Sequence, residues 1–273
     1  MADDLAASHV RATFRSVAFL IWFLLLLPVH LVALASGSRL SRRIPVFFHR
    51  GLLHLFGIRV RRIGRPSDKP PTLFASNHTS WLDIVVLSSL APVSFVAKAE
   101  IARWFFFGWL AKLQRSIFID RRRSQAVAHG TELTRRLADS DNIVLFPEGT
   151  SGDGNRVLRF RSALFNFAER EALRSLTVQP VSICYSGLNG LPLDRRNRPL
   201  ITWYGGMDLL PHVWRLLGHG HMEVTVSFHP PLPEISDRKQ LARLAERSVA
   251  DGLARALAGR ARGAGVRSQP SAA

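Results

Sequence analysis

A single cysteine, Cys184, is all that 273 residues contain. An intrachain disulfide is therefore excluded, which fits a reducing compartment without requiring one. Lysine is nearly as scarce, with four (Lys69, Lys98, Lys112, Lys239) among 37 Lys+Arg residues. No Gly-x-Ser-x-Gly elbow occurs, so the chain offers no nucleophilic serine of that kind. No Cys/His cluster has metal-ligand spacing, and no bound metal or cofactor is expected. Heptads, internal repeats and aromatic RNA-binding motifs are absent too, which leaves nucleic acid unsupported as a partner.

Positive charge is plentiful. The 37 basic residues face 20 acidic ones, for a net charge of +17. A coding bias explains arginine over lysine but not the net excess. An anionic membrane surface, an anionic substrate and nucleic acid are the candidate causes. The N-terminal region chooses among them. Residues 17–35 form an uncharged, apolar run of about the length that spans a bilayer. Pro28 and His30 interrupt it, and a basic cluster follows (Arg39, Arg42, Arg43, Arg50, Arg59, Arg61, Arg62, Arg65). Such flanks favour the cytoplasmic side. A second segment, 44–58, repeats apolar residues at spacings of three and four, the pattern of an interfacial amphipathic helix. A cleaved signal peptide, with Ala33-Leu34-Ala35 at its end, is the competing reading. The run is longer than an ordinary signal core and the basic patch follows closely, which favours an anchor.

The richest segment is Asn77-His78-Thr79-Ser80-Trp81-Leu82-Asp83, directly after the expected strand 73–76. An imidazole beside a carboxylate can take a proton from an attacking hydroxyl. The carboxylate then fixes the tautomer and stabilises the imidazolium. Without a serine elbow, the hydroxyl that His78 activates belongs to a substrate. The same residues also read as a capping box, with Ser80 as N-cap and Asp83 three positions on. On one continuous helix the two side chains would diverge by about 140°. They meet only if His78 lies in the turn before the helix, where the capping reading also puts it.

Three further blocks follow: Ile117-Phe118-Ile119-Asp120-Arg121, Ile143 to Thr150 (ending Phe-Pro-Glu-Gly-Thr), and Val178 to Ile183. In order and spacing, these and the His78 block resemble the four-block signature of the glycerolipid acyltransferase family. Its bacterial type member is 1-acyl-glycerol-3-phosphate acyltransferase. The match covers roughly residues 70 to 185.

The resemblance implies transfer of an acyl group from a thioester to the free hydroxyl of a lyso-lipid. His78 and Asp83 would be catalytic, with His78 as general base. Arg121, Glu148, Gly149, Thr150, Lys98 and Arg156 would bind substrate. The donor would be acyl-CoA or an acyl carrier protein, and membrane lipid would be a further partner. Backbone amides near Asn77 or at Pro180-Val181 are candidates for the oxyanion. The first-choice acceptor is 1-acyl-glycerol-3-phosphate. However, the family pattern continues Glu-Gly-Thr-Arg, and this chain has Ser151. Arg156, Arg159 and Arg161 follow nearby and could compensate. The change leaves room for a lyso-ornithine lipid or another lysophospholipid. An alternative of another class is a non-catalytic basic protein that binds a membrane surface.

Alternating apolar runs and helical stretches predict an α/β fold with a largely parallel sheet flanked by helices. Strands are expected at 73–76, 93–97, 117–119, 143–146, 178–185, 201–204 and 224–228. Helices are expected at 81–90, 99–113, 124–139, 162–173 and 237–258. Three segments result: membrane-anchoring helices at 1–64, an acyltransferase domain at 65–258, and a tail at 259–273. The resemblance implies that the membrane segment is a helical hairpin in one leaflet, with a single full span as the alternative; the inner membrane is expected, with the catalytic domain facing the cytoplasm.

Overall fold

The computed structural model describes residues 7–119, 135–137, 139, 141–169 and 176–259. The expected helix at 124–139 and the tail lie largely or wholly outside them, as do Asp120 and Arg121. The chain forms an α/β fold. It begins with two helices, α1 (His9–Ala35) and α2 (Leu40–Leu55). They run into strand β1 (Ile58–Ile63), followed by β2 (Thr72–Ser76), α3 (Leu82–Leu90), β3 (Ser94–Lys98), α4 (Phe105–Leu113), β4 (Ile117–Ile119) and β5 (Ile143–Leu145). The rest is β6 (Thr177–Leu188), β7 (Leu191–Pro192), α5 (Leu209–Gly218), β8 (Met222–Phe228) and α6 (Arg238–Leu257).

The sheet runs β1-β8-β6-β2-β5-β3-β4, with β7 folded back on β6. Only β8 and β7 lie antiparallel to β6; the other described pairs are parallel. β1 pairs with β8 from Ile58 to Ile63, so the sheet takes in residues that the sequence reading gave to the anchoring segment. Its arginines hide the strand pattern, because an edge strand can point alternate side chains into solvent. The expected strand at 201–204 is instead irregular chain after a short 3-10 turn, Arg198–Leu200. α5 and β7 were not anticipated.

Alternation along the strands divides the core in two. Phe74, Phe95, Val144 and Val181 pack with α3 (Leu82, Val85, Val86) and α2 (Leu52) on one face. Leu73, Ala75, Ile143 and Val178 pack with α6 (Leu241, Ala242, Ala245, Val249) on the other. β2 is buried along its whole length, as the middle strand of a covered parallel sheet should be.

α1 is the one described helix long and apolar enough to cross a membrane. Its 27 residues reach about 40 Å. The Trp22 indole donates to the Phe48 carbonyl (3.1 Å), and Gly51 lets the ring sit against α2. Leu24, Leu25, Val29 and Val32 stay exposed on the outer side. Phe23 meets Phe106 and Trp109 of α4 edge-on, and Phe105 beside them is fully exposed. An apolar surface this extensive marks a lipid or protein contact.

On the opposite face, α6 approaches the sheet at Gly252. The Ser182 hydroxyl lies 2.6 Å from His229 Nε2 and donates to the Val249 carbonyl (2.9 Å). A Cβ on Gly252 would overlap both side chains. Overpacking of this kind costs roughly 1–3 kcal/mol. Gly252→Ala is therefore expected to lower the thermal midpoint by several degrees, while Gly206→Ala, in open space, leaves it unchanged. Differential scanning fluorimetry of both variants checks this.

Candidate active site

β2 ends at Ser76, and the chain turns through 77–81 before α3 begins at Leu82. Asn77 pins the start of the turn. Its side chain donates to the Ile183 carbonyl (2.9 Å) and accepts from the Ile183 amide (2.8 Å) on β6. The backbone of the next residues is tied to two other segments. Gly152 N–H donates to the His78 carbonyl and Trp203 N–H to the Thr79 carbonyl, both at 2.8 Å. The Ser80 hydroxyl donates to the Ile201 carbonyl (2.9 Å).

Asp83 lies in the first turn of α3 and its side chain is fully buried. One oxygen, Oδ2, accepts from Thr79 N–H (2.7 Å), Ser80 N–H (3.0 Å) and His78 Nδ1 (2.9 Å). The other, Oδ1, accepts from the Tyr185 hydroxyl (2.8 Å) and, at 3.4 Å, from Thr79 Oγ1. A buried carboxylate needs such donors. It can only accept, so the His78 proton sits on Nδ1 and the lone pair on Nε2. Nε2 makes no hydrogen bond among the described residues, and the ring is about one-fifth exposed. Phe146 stacks on the imidazole, with centroids 4.1 Å apart and planes 16° apart, and holds its orientation. The capping box forms in one direction only. Asp83 receives the Ser80 amide, while the Ser80 hydroxyl donates to Ile201 and accepts only a long contact (3.4 Å) from the Leu82 amide, not from Asp83 N–H.

Tyr185 is held from behind. Its carbonyl accepts from Arg198 Nη1 (2.6 Å), whose other donors go to Asn155 Oδ1 (2.9 Å) and the Leu193 carbonyl (3.0 Å). Burial and the Asp83 charge keep the Tyr185 phenol protonated, with its pKa well above the usual value. Arg198 lies 5% exposed and joins the 153–155 loop to β6. Gly154, at φ 74°, lets that loop pass close over Arg198. The polar stretch after β7 thus supplies a buried arginine.

The Phe146-Pro147-Glu148-Gly149 turn follows β5, which is parallel to β2, so it emerges at the same end of the sheet as His78. Gly149 N–H donates to the Phe146 carbonyl (3.0 Å), and φ of 70° at Gly149 needs glycine. Glu148 is 3% exposed, and neither carboxyl oxygen has a hydrogen-bond partner among the described residues. Burial raises its pKa to about 8, and the charges of Asp83 and Glu246 add to the effect. The backbone near Leu158 and His78 pulls more weakly the other way. At neutral pH this side chain is mostly a neutral acid. Thr150 and Arg156 are exposed, Ser151 is half-buried, and Lys98 ends β3 at the same edge. Arg121 lies outside the described residues. Val181, offered as an oxyanion donor, is buried in β6 between β2 and β8. The Thr79 and Ser80 amides near Asn77 are already committed to Asp83.

An acyltransferase family model matches residues 57–184. A Brucella abortus protein named lyso-ornithine lipid O-acyltransferase is 44% identical over 242 residues, 86% of this chain and 91% of its own length. The chain belongs to the glycerolipid acyltransferase family. A Neisseria meningitidis 1-acyl-sn-glycerol-3-phosphate acyltransferase is 30% identical over 182 residues, covering 66% of this chain and 68% of its own. The crystal structure of the Thermotoga maritima acyltransferase PlsC shares the fold. Its TM-score is 0.57 at 19% identity, over 93% of this acyltransferase and all of that chain. With its family and its apolar α1, this acyltransferase associates with membranes.

Two outcomes test the site. Tyr185→Phe removes one donor from a buried carboxylate and is expected to lower kcat roughly tenfold, or about 1.4 kcal/mol of barrier, with KM nearly unchanged. Steady-state kinetics check this. Glu148 binds its proton more tightly folded than unfolded, so its contribution to stability is present below pH 4.5 and lost as pH rises through about 8. Relative to wild type, Glu148→Gln should therefore gain thermal stability steadily from pH 5 to pH 8.5. Paired melts across that range read the difference.

Proposed function

We propose that the protein is a lyso-ornithine lipid O-acyltransferase in which His78 is the general base. The observation that carries the reaction is the buried Asp83 carboxylate on His78 Nδ1, which leaves Nε2 free at the strand end. The acceptor hydroxyl gives its proton to Nε2 as its oxygen attacks the thioester carbonyl carbon. The carbon–sulfur bond then breaks, and the thiol leaves with the proton carried by His78. No acyl-enzyme is needed. Positioned proton transfer contributes about 10²–10⁴-fold.

Two features support the acceptor. Identity to lyso-ornithine lipid O-acyltransferases runs from 34 to 44%, against 30% to the Neisseria meningitidis 1-acyl-sn-glycerol-3-phosphate acyltransferase. Ser151 stands where the family carries a phosphate-reading arginine, and an ornithine head has no phosphate. This reverses the order in which motif resemblance alone ranks the two acceptors. 1-Acyl-glycerol-3-phosphate is the second reading, favoured by the exposed Arg156 and Arg159 on the following loop. Acyl-CoA or an acyl carrier protein would be the donor. The catalytic domain would lie on the cytoplasmic side, as the basic cluster after α1 favours.

Purified protein offered lyso-ornithine lipid and lysophosphatidic acid side by side, each with a thioester donor, tests the assignment. Turnover of lyso-ornithine lipid is expected, with His78→Ala slower by about 10²-fold or more. Preferred turnover of lysophosphatidic acid would overturn the acceptor. Unchanged turnover in His78→Ala would overturn the base.

A further inference from the structure

The end of the sheet opposite His78 carries a second group of charges. Asp141, just before β5, is 3% exposed and receives three guanidinium groups. Arg42 of α2 meets Oδ1 at 3.1 Å, while Arg115 and Arg136 meet Oδ2 at 2.7 and 2.6 Å. One carboxylate thus faces three cations. Arg136 spends further donors on Ser94 Oγ and the Arg115 carbonyl. Arg42 and Arg115 are partly exposed and border a cleft of about 70 Å³ that Ser41, Ser94, Gln114 and Asn142 help to line. Asp141 is the one acid among the lining residues.

The backbone makes an independent point. α4 ends in a paired C-terminal turn, with Arg115 N–H donating to the Lys112 carbonyl and Ser116 N–H to the Ala111 carbonyl. The residue after the cap in this motif takes a left-handed conformation and is ordinarily glycine. Here it is arginine, at φ 59°. A non-glycine residue kept there against its backbone preference points to a use for its side chain.

We propose that the cleft between Arg42 and Arg115 binds a phosphate-bearing anion, separate from the site around His78. Two planar guanidinium groups with unspent donors match phosphate oxygens in pairs. The surplus of two positive charges over Asp141 supplies the attraction. Burial and the neighbouring Arg136 and Arg42 charges lower the Arg115 pKa despite Asp141, and an added anion would relieve that repulsion. Arg42 lies in the first turn of α2, directly after the α1–α2 bend, beside exposed Arg39 and Arg43. A lipid phosphodiester and free phosphate share this chemistry.

The test uses the full chain in neutral detergent, titrated with inorganic phosphate at constant ionic strength. It also measures binding to phosphatidylcholine vesicles with and without phosphatidylglycerol. Arg115→Gly removes the guanidinium and suits the left-handed turn, so the variant folds. Arg42→Gln is its companion, and Arg39→Gln, outside the cleft, is the charge control. Wild type, His78→Ala and Arg39→Gln are expected to show a saturable rise in thermal midpoint with phosphate, or a fivefold or greater gain from phosphatidylglycerol. Arg115→Gly and Arg42→Gln lose that response. A response to phosphate assigns a free anion, and a response to phosphatidylglycerol alone assigns a lipid. No response in wild type, or the same response in Arg115→Gly, would overturn the proposal.

Discussion

A carboxylate with no access to water must be compensated by its surroundings, and Asp83 is such a group. It draws in two backbone amides, an imidazole and a phenol, and each comes from a different demand on the chain. The amides need the turn at 79–80 to point inward. The imidazole needs His78 outside the helix that carries Asp83. The phenol needs β6 to run beside β2 far enough for Tyr185 to reach α3. Losing any one partner leaves charge poorly solvated in a low-dielectric interior, so the turn, the helix start and the strand pairing are mutually dependent.

Burial keeps the neighbouring acid, Glu148 at the same sheet edge, neutral, and the Asp83 charge adds to it. Donors concentrated on one acid leave the other to hold its proton.

The local half of this arrangement was legible in the sequence. The spacing of His78 and Asp83, the end of β2 and the start of α3 lie within a dozen residues, and the geometric argument about the turn needs only helical pitch. The parallel sheet was legible too, because buried strands read as continuous apolar runs. What the sequence did not show is what comes from afar. Tyr185 reads as one more apolar strand position, and its role depends on β6 lying beside β2. Arg198 sits in a polar stretch where burial leaves no periodic mark. β1 was hidden because its arginines belong to an edge. The stretch 201–204 read as a strand from its composition, yet its Ile201 carbonyl and Trp203 amide pair with the His78 loop and its Ile201 and Thr202 amides turn back to Arg198.

The chain carries its positive charge in two different ways, and they follow from the layout of the sheet. At the strand ends that bear His78, the buried arginine, Arg198, meets only neutral oxygens and acts as a brace. At the opposite ends, arginines from α2, from the α4 turn and from the segment before β5 crowd one aspartate. A brace works when every donor is used. A cluster with more cations than anions keeps an attraction unspent. α1 and α2 run the length of the domain between these ends. The α1 N-terminus is fastened where Arg11 and Arg15 donate to carbonyls at the end of α5. Its far end touches α4 through His30 and the Leu113 carbonyl (2.9 Å). The apolar hairpin is thus tied to the α/β fold at both ends of the sheet.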